Sequence, residues 1–114
     1  MLSDIVDYVI GVDPDRDRIT VAVLEAATQA KIAASSFPTT ARGYRQALRW
    51  ATTLTQERPR AWSIEGAGSY GAGLSMTLVT AGELVIEFDH PLTPAAKDRA
   101  KSDTLDAERA AREI

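Results

Sequence analysis

The 114 residues include no cysteine, which excludes both a disulfide framework and a thiolate metal site. No apolar run approaches the ~20 residues that a membrane-spanning helix needs. The opening stretch, MLSDIVDYVI, carries acids but no basic segment, so it does not read as a secretory signal. The expected compartment is the cytoplasm. Histidine is nearly absent: His90 stands alone, and a lone histidine in a loop reads as a hydrogen-bonding group rather than a ligand, since metal sites usually need more than one such donor. An excess of positive charge is also missing. The net charge is −3, from 13 Lys and Arg against 16 Asp and Glu. Domains that bind nucleic acid are usually basic, because phosphate neutralisation supplies much of their affinity. That objection weakens if the acids hold metal ions, whose charge reverses the local field, or if the chain is part of a longer protein.

What is present fits one small domain over residues 1–114, with ordinary hydrophobic (45%) and charged (25%) fractions. Tyr8-Val9-Ile10-Gly11-Val12 is a short apolar run ending in Asp13, as in a central strand buried on both faces. Ile19, Val21 and Val23 alternate with Thr20 and Ala22 in a second strand, joined to the first as a hairpin across Pro14-Asp15-Arg16-Asp17. Lys31 to Phe37 is a weaker third strand, closed by Pro38. Thr39 or Thr40 can cap a helix whose inner stripe is Tyr44, Ala47, Leu48, Ala51 and Leu54. Arg42, Arg45 and Arg49 lie off that stripe and read as a solvated face. A fourth strand, Ala61 to Ile64, ends at Glu65, and Gly66-Ala67-Gly68 turns into a helix with Leu74, Leu78 and Ala81 inward and Gly82 as its left-handed cap. Leu84 to Phe88 is a fifth strand, followed by a loop with Pro91 and Pro94 and a final helix. The last residues, DAERAAREI, read as helix without a stop signal, which suggests a protein that continues.

The order β-β-β-α-β-α-β-α, a three-stranded meander followed by helix–strand alternation, is the pattern of an α/β, ribonuclease-H-like fold: a mixed five-stranded sheet flanked by helices. In open α/β sheets, sites gather beyond the carboxyl ends of the strands. Asp13 and Glu65 stand there on strands one and four, which this fold makes neighbours. Asp103 and Asp106, spaced i and i+3, share a helical face, and Ala107, Ala110 and Ala111 would let that face come close to the sheet. Four carboxylates cannot gather without compensation. Hard oxygen donors suit Mg²⁺ or Mn²⁺, and two such ions about 3.5–4 Å apart serve phosphodiester chemistry. Each acid also has a plainer reading. Asp103 and Asp106 fit a helix cap, Asp13-Pro14 a turn, and Glu65 a buried ion pair. Asp13-x-Asp15-x-Asp17 mimics a calcium loop but has Arg18 and Leu24 where that loop needs Gly and Glu. Gly66-x-Gly68 followed by Ser69 could cradle a phosphate, but tight turning explains it equally well.

Four segments carry a family resemblance: IGVDPDRD, FPTTARGYRQALRW, IEGAGSYGAGL and KSDTLDAERAA. In this order they resemble the N-terminal, RuvC-like domain of the DEDD-type insertion-sequence transposases related to the Piv invertases. The resemblance implies that Asp13, Glu65, Asp103 and Asp106 form an acidic quartet binding Mg²⁺ (or Mn²⁺) during DNA cleavage and strand exchange. It also implies a C-terminal domain with a nucleophilic serine, a structured guide RNA from the element, and a homo-oligomer. Ser102 stands where Thr is frequent in the family. Lys97, Arg99 and Lys101 would contact phosphates near the site, as would Arg109 and Arg112, although a solvated helix face explains them equally well. Two alternatives remain: a non-catalytic RNA- or protein-binding transposon remnant, and an actin-like nucleotide-binding domain. The second is disfavoured because Pro14-Asp15-Arg16-Asp17 would set two acids against an anion.

Overall fold

A computed structural model describes residues 4–66, 70–88 and 111. β1 (Tyr8–Pro14) is the middle of a five-stranded sheet. On one side it pairs antiparallel with β2 (Arg18–Glu25), which pairs antiparallel with β3 (Lys31–Pro38). On the other it pairs parallel with β4 (Arg60–Glu65), which pairs parallel with β5 (Leu84–Phe88). The spatial order is β3-β2-β1-β4-β5. Helices α1 (Ala41–Leu54) and α2 (Ala72–Thr80) connect β3 to β4 and β4 to β5. This is the expected mixed sheet and strand order.

β1 has apolar residues on both sides because it is covered on both sides. Ile10 and Val12 join Ile19, Val21 and Val23 of β2, Trp62 and Ile64 of β4, Ala47 and Ala51 of α1, and Leu74 and Leu78 of α2 in one buried core. Burying one Val, Leu or Ile side chain contributes about 1.5–3 kcal/mol, so this layer dominates the stability of the sheet. The opposite face is smaller: Val9, Ala22, Leu24 and Ala61 pack with Val6 and with Ala111. Ala111 is helical and 4% exposed. Both described helices thus cover one face, and the described residue of the C-terminal segment lies on the other.

Local chemistry sets the helix ends. Thr40 caps α1, its hydroxyl oxygen accepting from the Gly43 N–H at 3.0 Å. Gly43 is required by close approach, since a β-carbon there would fall 1.9 Å from the Pro38 carbonyl oxygen. α2 closes as expected at Gly82, whose φ is +86°. The Gly82 N–H donates to the Val79 carbonyl (3.0 Å) and the Glu83 N–H to that of Leu78 (2.9 Å), a Schellman pair. That closure corrects one expectation. Ala81 is exposed rather than inward, because the helix has ended at Thr80 and the cap carries residue 81 out of the stripe. No helix among the described residues is long and apolar enough to cross a membrane.

Candidate metal centre

Strand pleating decides where the first two acids point. Ile10 and Val12 of β1, and Trp62 and Ile64 of β4, face the core beneath α1 and α2. Successive residues alternate faces, so Asp13 and Glu65 lie on the opposite face, the one against which Ala111 packs. The register aligns Val12 with Ile64, which makes Asp13 and Glu65 the next residues along two adjacent parallel strands. Neighbouring strands lie about 4.8 Å apart, so the two carboxylates stand side by side at the carboxyl edge of the sheet. Asp13 is only 8% exposed, whereas Glu65 is half-buried.

β1 runs one residue past Asp13. Asp13 pairs with Thr20 and Pro14 with Ile19 before the hairpin turns, with the Asp15 N–H donating to the Arg18 carbonyl at 3.0 Å. The backbone of Asp13 is therefore held in a ladder rather than released into a loop. The calcium-loop pattern does not assemble. Asp15 and Asp17 are exposed at the hairpin tip, where Asp15 Oδ1 accepts from the Arg16 N–H (2.8 Å) and Asp17 pairs loosely with the Arg16 side chain (3.5 Å).

The floor around the two acids is small and polar. Thr20, opposite Asp13, is 7% exposed, and Ser63, two residues before Glu65, is fully buried. Gly11, Ala22 and Ala61 continue the strip between these residues and the larger Val9 and Leu24 of the same face. Towards the sheet edge, Arg18 donates from Nε to Ser36 Oγ (3.1 Å) and from Nη2 to the Ser36 carbonyl (3.0 Å), which fixes a guanidinium at the rim. Sequence reading missed this lining. Its signal was the alternation that places Thr20 and Ser63 on the same face as the acids.

Two carboxylates one strand spacing apart, in a partly desolvated setting, fit a hard divalent cation that takes oxygen ligands. Among the described residues no group of three or more His, Asp or Glu side chains converges. Asp103 and Asp106, the other half of the expected quartet, lie outside the described residues. So do Lys97, Arg99, Lys101, His90, Gly68 and Ser69.

A partly buried polar cluster, also unforeseen, lies at the amino ends of β4 and β5. Arg60 forms a two-point pair with Glu83, Nε to Oε1 at 2.8 Å and Nη2 to Oε2 at 3.0 Å. Trp62 Nε1 donates to the same Oε1 at 2.8 Å, and Arg60 Nη2 reaches Thr52 Oγ1 of α1 at 3.1 Å. With side chains 12% and 13% exposed, this pair joins α1, β4 and the turn before β5. It is a structural clamp, remote from the carboxylates.

No protein-family model and no curated protein sequence matches the chain. Solved structures do. T. thermophilus RuvC in complex with a Holliday junction substrate aligns with a TM-score of 0.64 at 15% identity, over 91% of this chain and 89% of that one. The Fowlpox virus Holliday junction resolvase aligns with a TM-score of 0.57 at 13% identity, over 93% and 94% of the two chains. The Fowlpox resolvase in complex with Holliday junction DNA gives 0.50 at 13%, over 94% and 93%. At such identities the likeness speaks for architecture: the chain has the RuvC-like form of the ribonuclease-H-like fold.

Proposed function

We propose that this chain is a metal-dependent DNA nuclease domain of the recombination type. Asp13 and Glu65 would be its central metal ligands. The observation that carries the reading is the placement of these two acids on one face of adjacent parallel strands, at the carboxyl edge of a RuvC-like sheet. Resolvases of this fold that have been solved with Holliday junction DNA support a DNA substrate. Bound Mg²⁺ or Mn²⁺ would supply an activated nucleophile and charge stabilisation for phosphodiester cleavage. The chain's own part is to hold the carboxylates in a rigid ladder, exclude bulk water around Asp13 and present Arg18 at the rim.

Asp103 and Asp106 complete the site in this proposal. Ala111 supports their arrival, since it packs beside Val9 and Leu24 on the carboxylate face. Asp13 lies four residues along β1 from Val9, about 13 Å. Asp103 lies eight residues before Ala111, which even as helix reaches about 12 Å.

The finer reading is a transposase of the DEDD type, supported by the IEGAGSYGAGL and KSDTLDAERAA segments. It implies that residues 1–114 are the N-terminal domain, with a serine-bearing domain, a guide RNA and an oligomer needed for strand exchange. A reading frame that continues past Ile114 into such a domain would support it, and one that stops there would favour a resolvase-like nuclease or a non-catalytic remnant. The general reading is tested by calorimetric titration of Mg²⁺ and Mn²⁺ into the wild type and the Asp13→Ala and Glu65→Gln variants. Binding should weaken strongly in both variants. Equal heats from all three proteins would falsify the assigned centre.

A further inference from the structure

α1 carries Arg42, Arg45 and Arg49 on its outer surface, all three exposed. With 3.6 residues per turn they fall within an arc of about 60°. A solvated helix face usually mixes signs, so that opposite charges meet at i, i+3 and i, i+4. Here Arg42 and Arg45, and then Arg45 and Arg49, place like charges at those spacings. α1 has no acid in its first turn, where the helix dipole favours one, and Arg42 stands there instead. Its last turn, where a base would be favoured, has none. Among the described residues none of the three arginines has a carboxylate partner. Each placement disfavours the isolated helix, in a chain that has more acids than bases. An external polyanion along this face relieves the like-charge pairs and the placement of Arg42.

The position of α1 says which polyanion. β3 runs parallel to β1, because each is antiparallel to β2, so α1 starts at the sheet edge where Asp13 and Glu65 stand. Its start is tied to the hairpin that follows Asp13: the Thr39 N–H donates to the Asp17 carbonyl (3.1 Å) and the Thr39 hydroxyl to that of Asp15 (2.7 Å). Arg42 to Arg49 spans about 10 Å of helix axis, roughly three nucleotide steps along one strand of a duplex. We propose that the outer face of α1 binds the phosphate backbone of a DNA duplex, as a flanking arm of the same substrate whose cleaved segment reaches the carboxylate edge. This rests on the DNA-acting reading above.

The test is fluorescence anisotropy with a labelled 30-base-pair duplex in EDTA, at several NaCl concentrations. It compares the wild type with the Arg42→Gln/Arg45→Gln/Arg49→Gln triple variant and the corresponding triple Lys variant. The Gln variant should bind at least about tenfold more weakly, and its log–log salt dependence should be shallower by about 2.7, at roughly 0.9 for each phosphate that an arginine would neutralise. The Lys variant should keep the wild-type slope. The Gln variant should unfold at the same or a higher urea concentration than the wild type, which separates lost binding from lost folding. Unchanged affinity and slope, absence of duplex binding by the wild type, or a loss confined to an RNA hairpin would each overturn the proposal. Cleavage assayed on the same wild-type protein separates the two readings: duplex binding through α1 without metal-dependent cleavage keeps this face and removes the nuclease.

Discussion

Asp13 and Glu83 are both acids of low exposure, but only Asp13 is proposed as a metal ligand. Glu83 accepts from two donors of Arg60 and from the Trp62 indole, so its charge is already compensated within the fold. Removing one partner of such a largely buried pair leaves a charge without compensation. Glu83→Ala is therefore expected to destabilise the fold by about 3–5 kcal/mol, read from the urea midpoint, with a smaller loss in Glu83→Gln. The pair between Arg16 and Asp17 is 76% and 79% exposed, and Asp17→Asn should leave the midpoint unchanged. Asp13→Asn belongs to the other class. It keeps the shape of the side chain but would remove a charged ligand of the proposed centre, so metal-dependent cleavage should disappear while the cooperative unfolding transition persists. Cleavage at the wild-type rate would remove Asp13 from the proposed centre.

At the scale of elements, the helix ends invite simple tests. α1 closes with the Gln56 N–H on the Thr53 carbonyl and the Glu57 N–H on that of Thr52, the same pairing that ends α2. Where α2 has Gly82, α1 has Gln56 at φ +54°, a left-handed conformation that costs an L-residue about 1 kcal/mol. Gln56→Gly should raise stability by roughly that amount in chemical denaturation. Gly43→Ala should act oppositely, losing about 1–3 kcal/mol or more as the first turn of α1 is pushed off Pro38. These details also mark what the sequence makes legible. The order of elements along the chain followed from hydrophobic period and turn residues, and the Gly82 cap from residue type. The facing of Asp13 was harder, because β1 and β2 are buried on both sides and show little alternation. The packing of Ile10 and Val12 into the core resolves it, and the register with β4 brings Glu65 alongside. The Arg60–Glu83–Trp62 clamp left no local trace, since Glu83 lies 23 and 21 residues from Arg60 and Trp62 and meets them only when β4 and β5 pair.

Across the whole molecule, the two faces of the sheet divide the work. One holds the large core and both described helices, and the other has a smaller apolar cluster around Val9 and Leu24 with acids at its edge. The main core and the proposed metal centre are thus separated by the thickness of the sheet. If Mg²⁺ binds the native state at the proposed centre, it should stabilise the fold by mass action, by about 1.4 kcal/mol at ten times its dissociation constant. The thermal midpoint should then rise with Mg²⁺ in the wild type and stay fixed in Asp13→Asn. An equal rise in both proteins would place the ion elsewhere.

The two hydrogen bonds from Thr39 have a mechanical consequence. They fasten the root of α1 to the backbone of Asp15 and Asp17, two and four residues beyond Asp13. A load applied along α1 is therefore carried through a short, stiff coupling to the strand that bears the carboxylate. Cutting one of the two fasteners with Thr39→Val would leave both ends intact and slacken only the transmission between them.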